Sequence, residues 1–207
     1  MSTESSRMRS DARENRARIV AVARELFADR GLEVPMATVA RRAGVGVATL
    51  YRRFPTKGSL VTEAFIEQFA VCVSVVDDAL SDPDPWRGFC TVISQVCEMQ
   101  AQDRGFAAAF TAELPDGHID ERTRALRGFA ELVQRAKDSG RLRADFAMDD
   151  LTLVLMANRG LSAAPAELAP AASRRLVAYL LEAFRAGSNT SLPPPVPLSL
   201  DQVLLRR

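Results

Sequence analysis

Ala37–Leu60, ATVARRAGVGVATLYRRFPTKGSL, has the pattern of two short helices on either side of a tight turn. Pro35 suits the first turn of the earlier helix, and Val39, Ala40 and Ala43 mark its inward side. Gly44 then breaks it, supplying backbone freedom that a side chain would deny. The later helix turns Leu50 and Phe54 inward and ends at Phe54-Pro55, because proline disfavours helix in the residue before it. Ala40 is small where the helices cross, and Val39, Val45 and Leu50 join them. The spacing is that of a helix-turn-helix, whose second helix enters the DNA major groove with its N-terminal part at the base edges. Thr49, Tyr51, Arg52 and Arg53 are expected to point outward there. An arginine fork fits guanine edges or phosphate oxygens. Lys57 and Gly58 open the next helix, where free N–H groups and the helix dipole attract a phosphate.

Charge agrees with this reading. Met36–Leu60 holds Arg41, Arg42, Arg52, Arg53 and Lys57 and no acid. Residues 1–60 carry 12 basic and 6 acidic side chains and the remainder 15 and 20, so a net +1 chain divides into a +6 head and a −5 body. Upstream, Ile19, Val22, Ala23, Leu26 and Phe27 form a one-sided helical stripe. Asp11 with Glu14 is the expected start of that helix and Gly31 its end. Arg7, Arg9, Arg13, Arg16 and Arg18 are candidates either for groove and phosphate contacts or for a solvated tail.

Downstream, almost every segment has helical period and strand signals are nearly absent, so the chain reads as all-α. One long helix is expected over 56–80, a rigid rod of about 25 residues and nearly 40 Å. Further helices are expected over 86–102, capped by Asp84-Pro85, and over 106–114, 119–139 and 149–163. A final helix to Ala186 follows a break at Pro165 and Pro170. The tail from Ser188 is proline-rich and extended. With 47% hydrophobic residues among 207, the chain can bury a sizeable core. No apolar run approaches the ~18 residues of a membrane span, and the polar N-terminus is unlike a secretory signal, so a cytoplasmic protein is expected.

Catalytic and metal chemistry find little support. Cys72, Cys90 and Cys97 are an odd count without a C-x-x-C pair, which suits buried thiols better than a disulfide framework or zinc site. His118 is the single histidine and lies in a turn. Gly44-x-Gly46 follows no strand and lacks a third glycine, so it is no nucleotide loop. No enzyme, cofactor or metal is expected. Asn158 and Arg159 interrupt an apolar helix and need polar partners, from a dimer mate, another helix or a ligand.

ATVARRAGVGVATLYRRFPTKGSL resembles the signature of the TetR family of transcriptional regulators, with its Ala-Gly-Val turn leading to Thr-Leu-Tyr, an aromatic residue and a lysine. The resemblance is dense over residues 19–60, and SGRLRADFAMDDL resembles a later interhelical connection of that family. It implies an N-terminal three-helix DNA-binding domain (1–56), a helical ligand-binding and dimerisation domain (57–187) and a C-terminal tail (188–207). It also implies DNA contacts at Thr49, Tyr51, Arg52, Arg53 and Lys57, with Met36 and Ala37 at the start of the second helix. Val47 and Ala48 share the recognition surface but are apolar where some members hydrogen-bond, and Val34-Pro35 replaces a frequent capping threonine.

The expected partners are a double-stranded DNA operator, a small-molecule effector and a second copy joined through the last two helices, with no membrane. The expected effector pocket lies among Phe65, Phe69, Cys72, Phe89, Ile93, Phe110, Phe129 and Met156, with Arg159 as polar anchor. Two alternatives stay open from sequence: a dimeric DNA-binding protein without small-molecule control, and a helical-bundle enzyme with a cysteine nucleophile.

Overall fold

A computed structural model of the protein describes residues 2–110, 119–161, 164–187 and 190–198. Within them the chain runs through ten helices: α1 (Ser2–Arg30), α2 (Met36–Arg42), α3 (Val47–Arg53), α4 (Lys57–Ala64), α5 (Ile66–Leu80), α6 (Pro85–Gln102), α7 (Arg104–Phe110), α8 (Ile119–Asp138), α9 (Met148–Gly160) and α10 (Ala169–Phe184). The described residues contain no strand, only one antiparallel bridge between Leu142 and Arg185 that ties the α8–α9 connection to the end of α10. No single helix among them is long and apolar enough to cross a membrane.

Local signals account for most boundaries. Asp84 caps α6 by accepting from the N–H groups of Trp86 (3.0 Å) and Arg87 (3.2 Å), with Pro85 at the first helical position. Gly31 ends α1 in the left-handed region at φ 72°. That helix begins at Ser2 rather than Asp11, since no proline or glycine interrupts the polar run before it. Pro170 lies in the first turn of α10 instead of breaking the chain there.

The larger departure is at Phe65. The single rod expected over 56–80 is two helices, α4 and α5, bent by 57°. Neither glycine nor proline causes the break. Phe65 leaves helical geometry at φ −120°, ψ 13°, and its fully buried ring lies 6.4 Å from that of Phe27 and 6.2 Å from that of Phe106. Phe65 holds this ring against α1 and α7, and α5 beyond it buries Cys72, Val75, Val76 and Ala79.

One contiguous core therefore runs from Ile19 to Phe184. Its lower part is organised around Phe89, which stacks on Trp86 (5.5 Å) and Phe129 (5.7 Å) and meets Phe146 edge-on (5.3 Å). Its upper part joins the N-terminal helices to the rest, with α7 laid across α1. Gly105 permits that crossing. A Cβ there would lie 2.7 Å from the backbone carbon of Phe27 and from Cζ of Phe65.

Gly105→Ala should therefore destabilise the fold by about 1–3 kcal/mol, the usual cost of overpacking, even though alanine favours helix. A fall in the urea midpoint at unchanged slope checks this; a neutral or raised midpoint contradicts so tight a crossing.

Candidate nucleic-acid interface

Seven-residue helices are marginal alone, so α2 and α3 depend on their packing and on what satisfies their ends. Neither has a side-chain N-cap. The turn between them needs Gly44 at φ 67°, and the Val45 N–H closes it on the Ala40 carbonyl (3.0 Å). Leu50 and Phe54 are buried, as their spacing requires, and fix which side of α3 faces away.

That outer side carries Val47 (43% exposed), Ala48, Tyr51 (47% exposed) and Arg52. Thr49 and Arg53 are half-buried beside it, and the Arg52 guanidinium reaches the Thr49 hydroxyl at 3.5 Å. Ala37 is exposed at the start of α2. Met36 is not: only 6% exposed, its side chain belongs to the core, which corrects its expected place on the DNA-facing surface. The first position of α2 points inward because Val39 and Ala40, three and four residues on, set the buried side.

Lys57 is the half-buried first residue of α4. Thr56 caps this helix, its hydroxyl accepting from the Ser59 N–H (3.0 Å) while Ser59 Oγ donates to the Thr56 carbonyl (2.7 Å). The Ser59 N–H is thus already satisfied, which narrows any phosphate site at this terminus to the Lys57 side chain and the first two amides. No acid lies within ion-pair distance of Arg41, Arg52, Arg53 or Lys57 among the described residues, and Arg42 meets Glu25 only at 3.9 Å on an exposed surface.

Sequence reasoning missed where two N-terminal arginines go. Arg18 Nε donates to the Ala43 carbonyl at the C-cap of α2 (3.0 Å). Arg16 pairs with Glu63 of α4, lies 4.6 Å over the Phe54 ring and donates to the carbonyl of Arg53, the last residue of α3. Neither is a loose tail residue. Nothing in a run of charges reveals such partners 25 to 47 positions away.

In the body, Phe65, Cys72, Phe89, Ile93 and Phe129 are buried against their neighbours, and half-buried Phe69 lies 5.5 Å from Phe106. The Phe110 side chain and residues 111–118, His118 among them, lie outside what the structure describes. Met156 (43% exposed) and Arg159 are on the outer side of α9 in the single chain, which corrects their expected place in an internal pocket. Leu151, Val154, Leu155 and Asn158 set the inner side, so Met156 and Arg159 fall outside it.

Asn158 finds its partners inside the chain. Its Nδ2 donates to the Cys97 carbonyl (2.9 Å) and to Gln100 Oε1 (3.2 Å), and its Oδ1 accepts from the Ser173 hydroxyl (2.6 Å). In this network the Nε2 of Gln100, which is 2% exposed, has no hydrogen-bond partner among the described residues; elsewhere the same holds for the buried Thr62 hydroxyl. Between α5 and α8 runs an open groove of about 530 Å³, lined by Asp77, Leu80, Thr123, Arg124, Arg127, Gly128 and Glu131. No sequence signal marked it.

The thiols are unsuited to nucleophilic work. Burial pushes Cys72 and Cys97 up to about 12 and Cys90 to about 11, so all three stay protonated near neutrality. Among the described residues no three His, Cys, Asp or Glu side chains gather as a metal site.

Known proteins share this arrangement. The model of bacterial regulatory proteins of the tetR family matches residues 19–64, and that of the C-terminal domain of SbtR-like transcriptional regulators matches residues 84–186. An HTH-type transcriptional regulator of Staphylococcus aureus is 46% identical over 54 residues, covering 26% of this chain and 29% of that relative's length. A TetR transcriptional regulator from Streptomyces coelicolor superposes at TM-score 0.51 and 26% identity, covering 84% of this chain and 99% of that one. FadR from Bacillus subtilis, solved in complex with stearoyl-CoA, shares the fold at TM-score 0.53 and 17% identity, over 80% of this chain and 97% of its own. With the helix-turn-helix matched at one end and the regulator's helical body at the other, the chain belongs to the TetR family of bacterial transcriptional regulators.

Proposed function

We propose that this regulator is a homodimeric repressor released from a near-palindromic operator by a small, mostly apolar effector. The observation that carries the reading is the outer side of α3: Ala48, Tyr51 and Arg52 are exposed on an acid-free surface, with Leu50 and Phe54 anchoring the other side. Residues 1–56 supply the DNA-binding part, residues 57–187 the effector-binding and dimerising part, and residues 188–207 a tail. Bases are read by Thr49, Tyr51 and Arg52, with Ala37, Val47 and Ala48 in apolar contact. Arg53 and Lys57 meet phosphates. The reading contains no catalytic step, in keeping with three protonated thiols.

Dimerisation is supported by the outer side of α9 and α10. Leu153, Met156 and Tyr179 are exposed there in the single chain, and helices from two copies would bury them in a four-helix interface. Two-fold symmetry presents two equivalent recognition helices, hence the near-palindrome.

The effector reading rests on the apolar side chains of Phe69, Cys72 and Ile93 in the body and on the unpartnered Gln100 amide. Leaving such a donor buried costs about 1–3 kcal/mol, which a ligand's carbonyl or carboxylate oxygen would recover. Gln100 thus replaces Arg159 as the anchor in our reading. Release follows if the effector prefers the DNA-incompetent state by about 1–3 kcal/mol. The FadR complex shows that this fold can hold an acyl chain in another protein.

Three measurements test these parts. Lys57→Ala should weaken binding to all duplexes and lower the salt slope by about 1, while Arg52→Ala should cost about 1–3 kcal/mol and relax preference at one base position. If both variants bind like the parent, α3 is not the recognition helix. Light scattering should give a dimer at micromolar concentration and a monomer for Met156→Glu; a monomeric parent contradicts the interface. In a panel of apolar carbonyl compounds, some should raise the melting temperature and lower operator affinity together. Gln100→Leu should weaken that response, beyond any change in the melting temperature of the free protein from losing the Asn158–Gln100 bond. A response unchanged in Gln100→Leu removes the anchor, and stabilisation without loss of operator affinity removes the coupling.

A further inference from the structure

The C-terminal end of a seven-residue recognition helix is its weak point. Carbonyls there lack intrahelical partners, and one turn of fraying would take Arg52 and Arg53 out of register. In this protein the end is held from outside. Arg16 of α1 meets three different groups with one planar fork: the Arg53 carbonyl through Nη1 (3.4 Å), the Phe54 ring at 4.6 Å, and the Glu63 carboxylate through Nε (2.6 Å) and Nη2. A cation at a helix C-terminus is also favourable for the dipole. Glu63 in turn sits on α4, two residues before the joint at Phe65. The clasp therefore links α1, the end of α3 and the helix leading to the body.

We propose that Arg16 is a positioning residue for DNA recognition, holding the recognition helix at its angle to α4 with Glu63 as its partner, and that it is not itself a phosphate contact. Its donors are engaged by the protein on three sides, whereas a phosphate-binding arginine keeps its fork for the ligand. Lysine could replace a phosphate contact, but it lacks the planar fork needed to meet carboxylate, ring and carbonyl together. Glu63 gives the sharper distinction. By charge alone, removing a carboxylate from a DNA-binding head should tighten binding, because it lessens repulsion of the phosphates. The clasp requires the opposite sign.

The experiment uses the full-length protein, a duplex it selects from a random-sequence pool, and a mixed-sequence duplex for comparison. Arg16→Lys and Glu63→Gln should each weaken binding to the selected duplex by about tenfold, the size expected for one coupled polar pair, with an unchanged salt slope. Both should speed amide hydrogen exchange at Phe54 while amides of α6 keep the parental rate. Normal or tighter binding in Glu63→Gln overturns the proposal. So does an Arg16→Lys variant that binds like the parent, or an Arg16→Ala variant whose salt slope falls by about 1, since either marks a phosphate contact. Faster exchange extending to α6 marks a general loss of stability and overturns it too. The proposal rests on α3 being the recognition helix. Failure of that reading leaves Arg52→Ala and Lys57→Ala without effect, whereas failure of the clasp alone leaves both of those effects in place.

Discussion

The ring of Phe65 sits between Phe27 of α1 and Phe106 of α7, and the backbone leaves helical geometry to put it there. Most of the arrangement above follows from that contact. It ends α4 after eight residues, lays α4 along α1 and sends α5 off at a new angle to meet α6 and α8. It also demands Gly105, because α7 can bring Phe106 to the ring only if its backbone comes against Phe27 and Ala28. The DNA-facing helices and the body are thus packed through aromatic rings into one core instead of being strung on a rod.

How much of this was legible in the sequence depends on the range of the forces involved. The turn at Gly44, the inward Leu50 and Phe54, and the Asp84-Pro85 cap are decided by neighbours within four residues. The break at Phe65 is not. Its own sequence context, VTEAFIEQF, is helical throughout, and only the ring's partners 38 and 41 residues away override it. The arginines of α1 teach the same lesson from the polar side. Arg16 and Arg18 look like neighbouring Arg13, yet their carbonyl and carboxylate partners are remote in sequence. The misplacement of Met156 and Arg159 was of a different kind, since helical phasing around Asn158 already separates them from the buried side.

Polar burial in the body has a comparable logic. Asn158, Ser173 and the Cys97 carbonyl tie α6, α9 and α10 together with directional bonds, in a region where apolar packing alone would tolerate sliding. Such a network holds the two outermost helices in fixed register to α6. That is what an interface made from their outer sides would need. An unmet donor, the Nε2 of Gln100, stands at the inner end of the same network.

The joint at Phe65 also changes how any event in the body can reach DNA. A straight 40 Å rod tilted by about 10° moves its end by about 7 Å, whereas eight residues of helix span only about 12 Å and move by about 2 Å. Lever action along α4 is therefore weak. What α4 can do is carry the helices bound to it as a unit, and it is bound to them at two points: through Phe65 to α1, and through Glu63 and Arg16 to the end of α3. Phe106 on the body side packs on the same ring that seats α1, and Phe69 packs on Phe106. In the proposed effector response, a small displacement there would be carried as rotation of the three-helix head, because its parts are linked at both points. In the proposed dimer, rotation of two heads about the two-fold axis would alter their separation and their facing together, and a two-half-site operator would be sensitive to both.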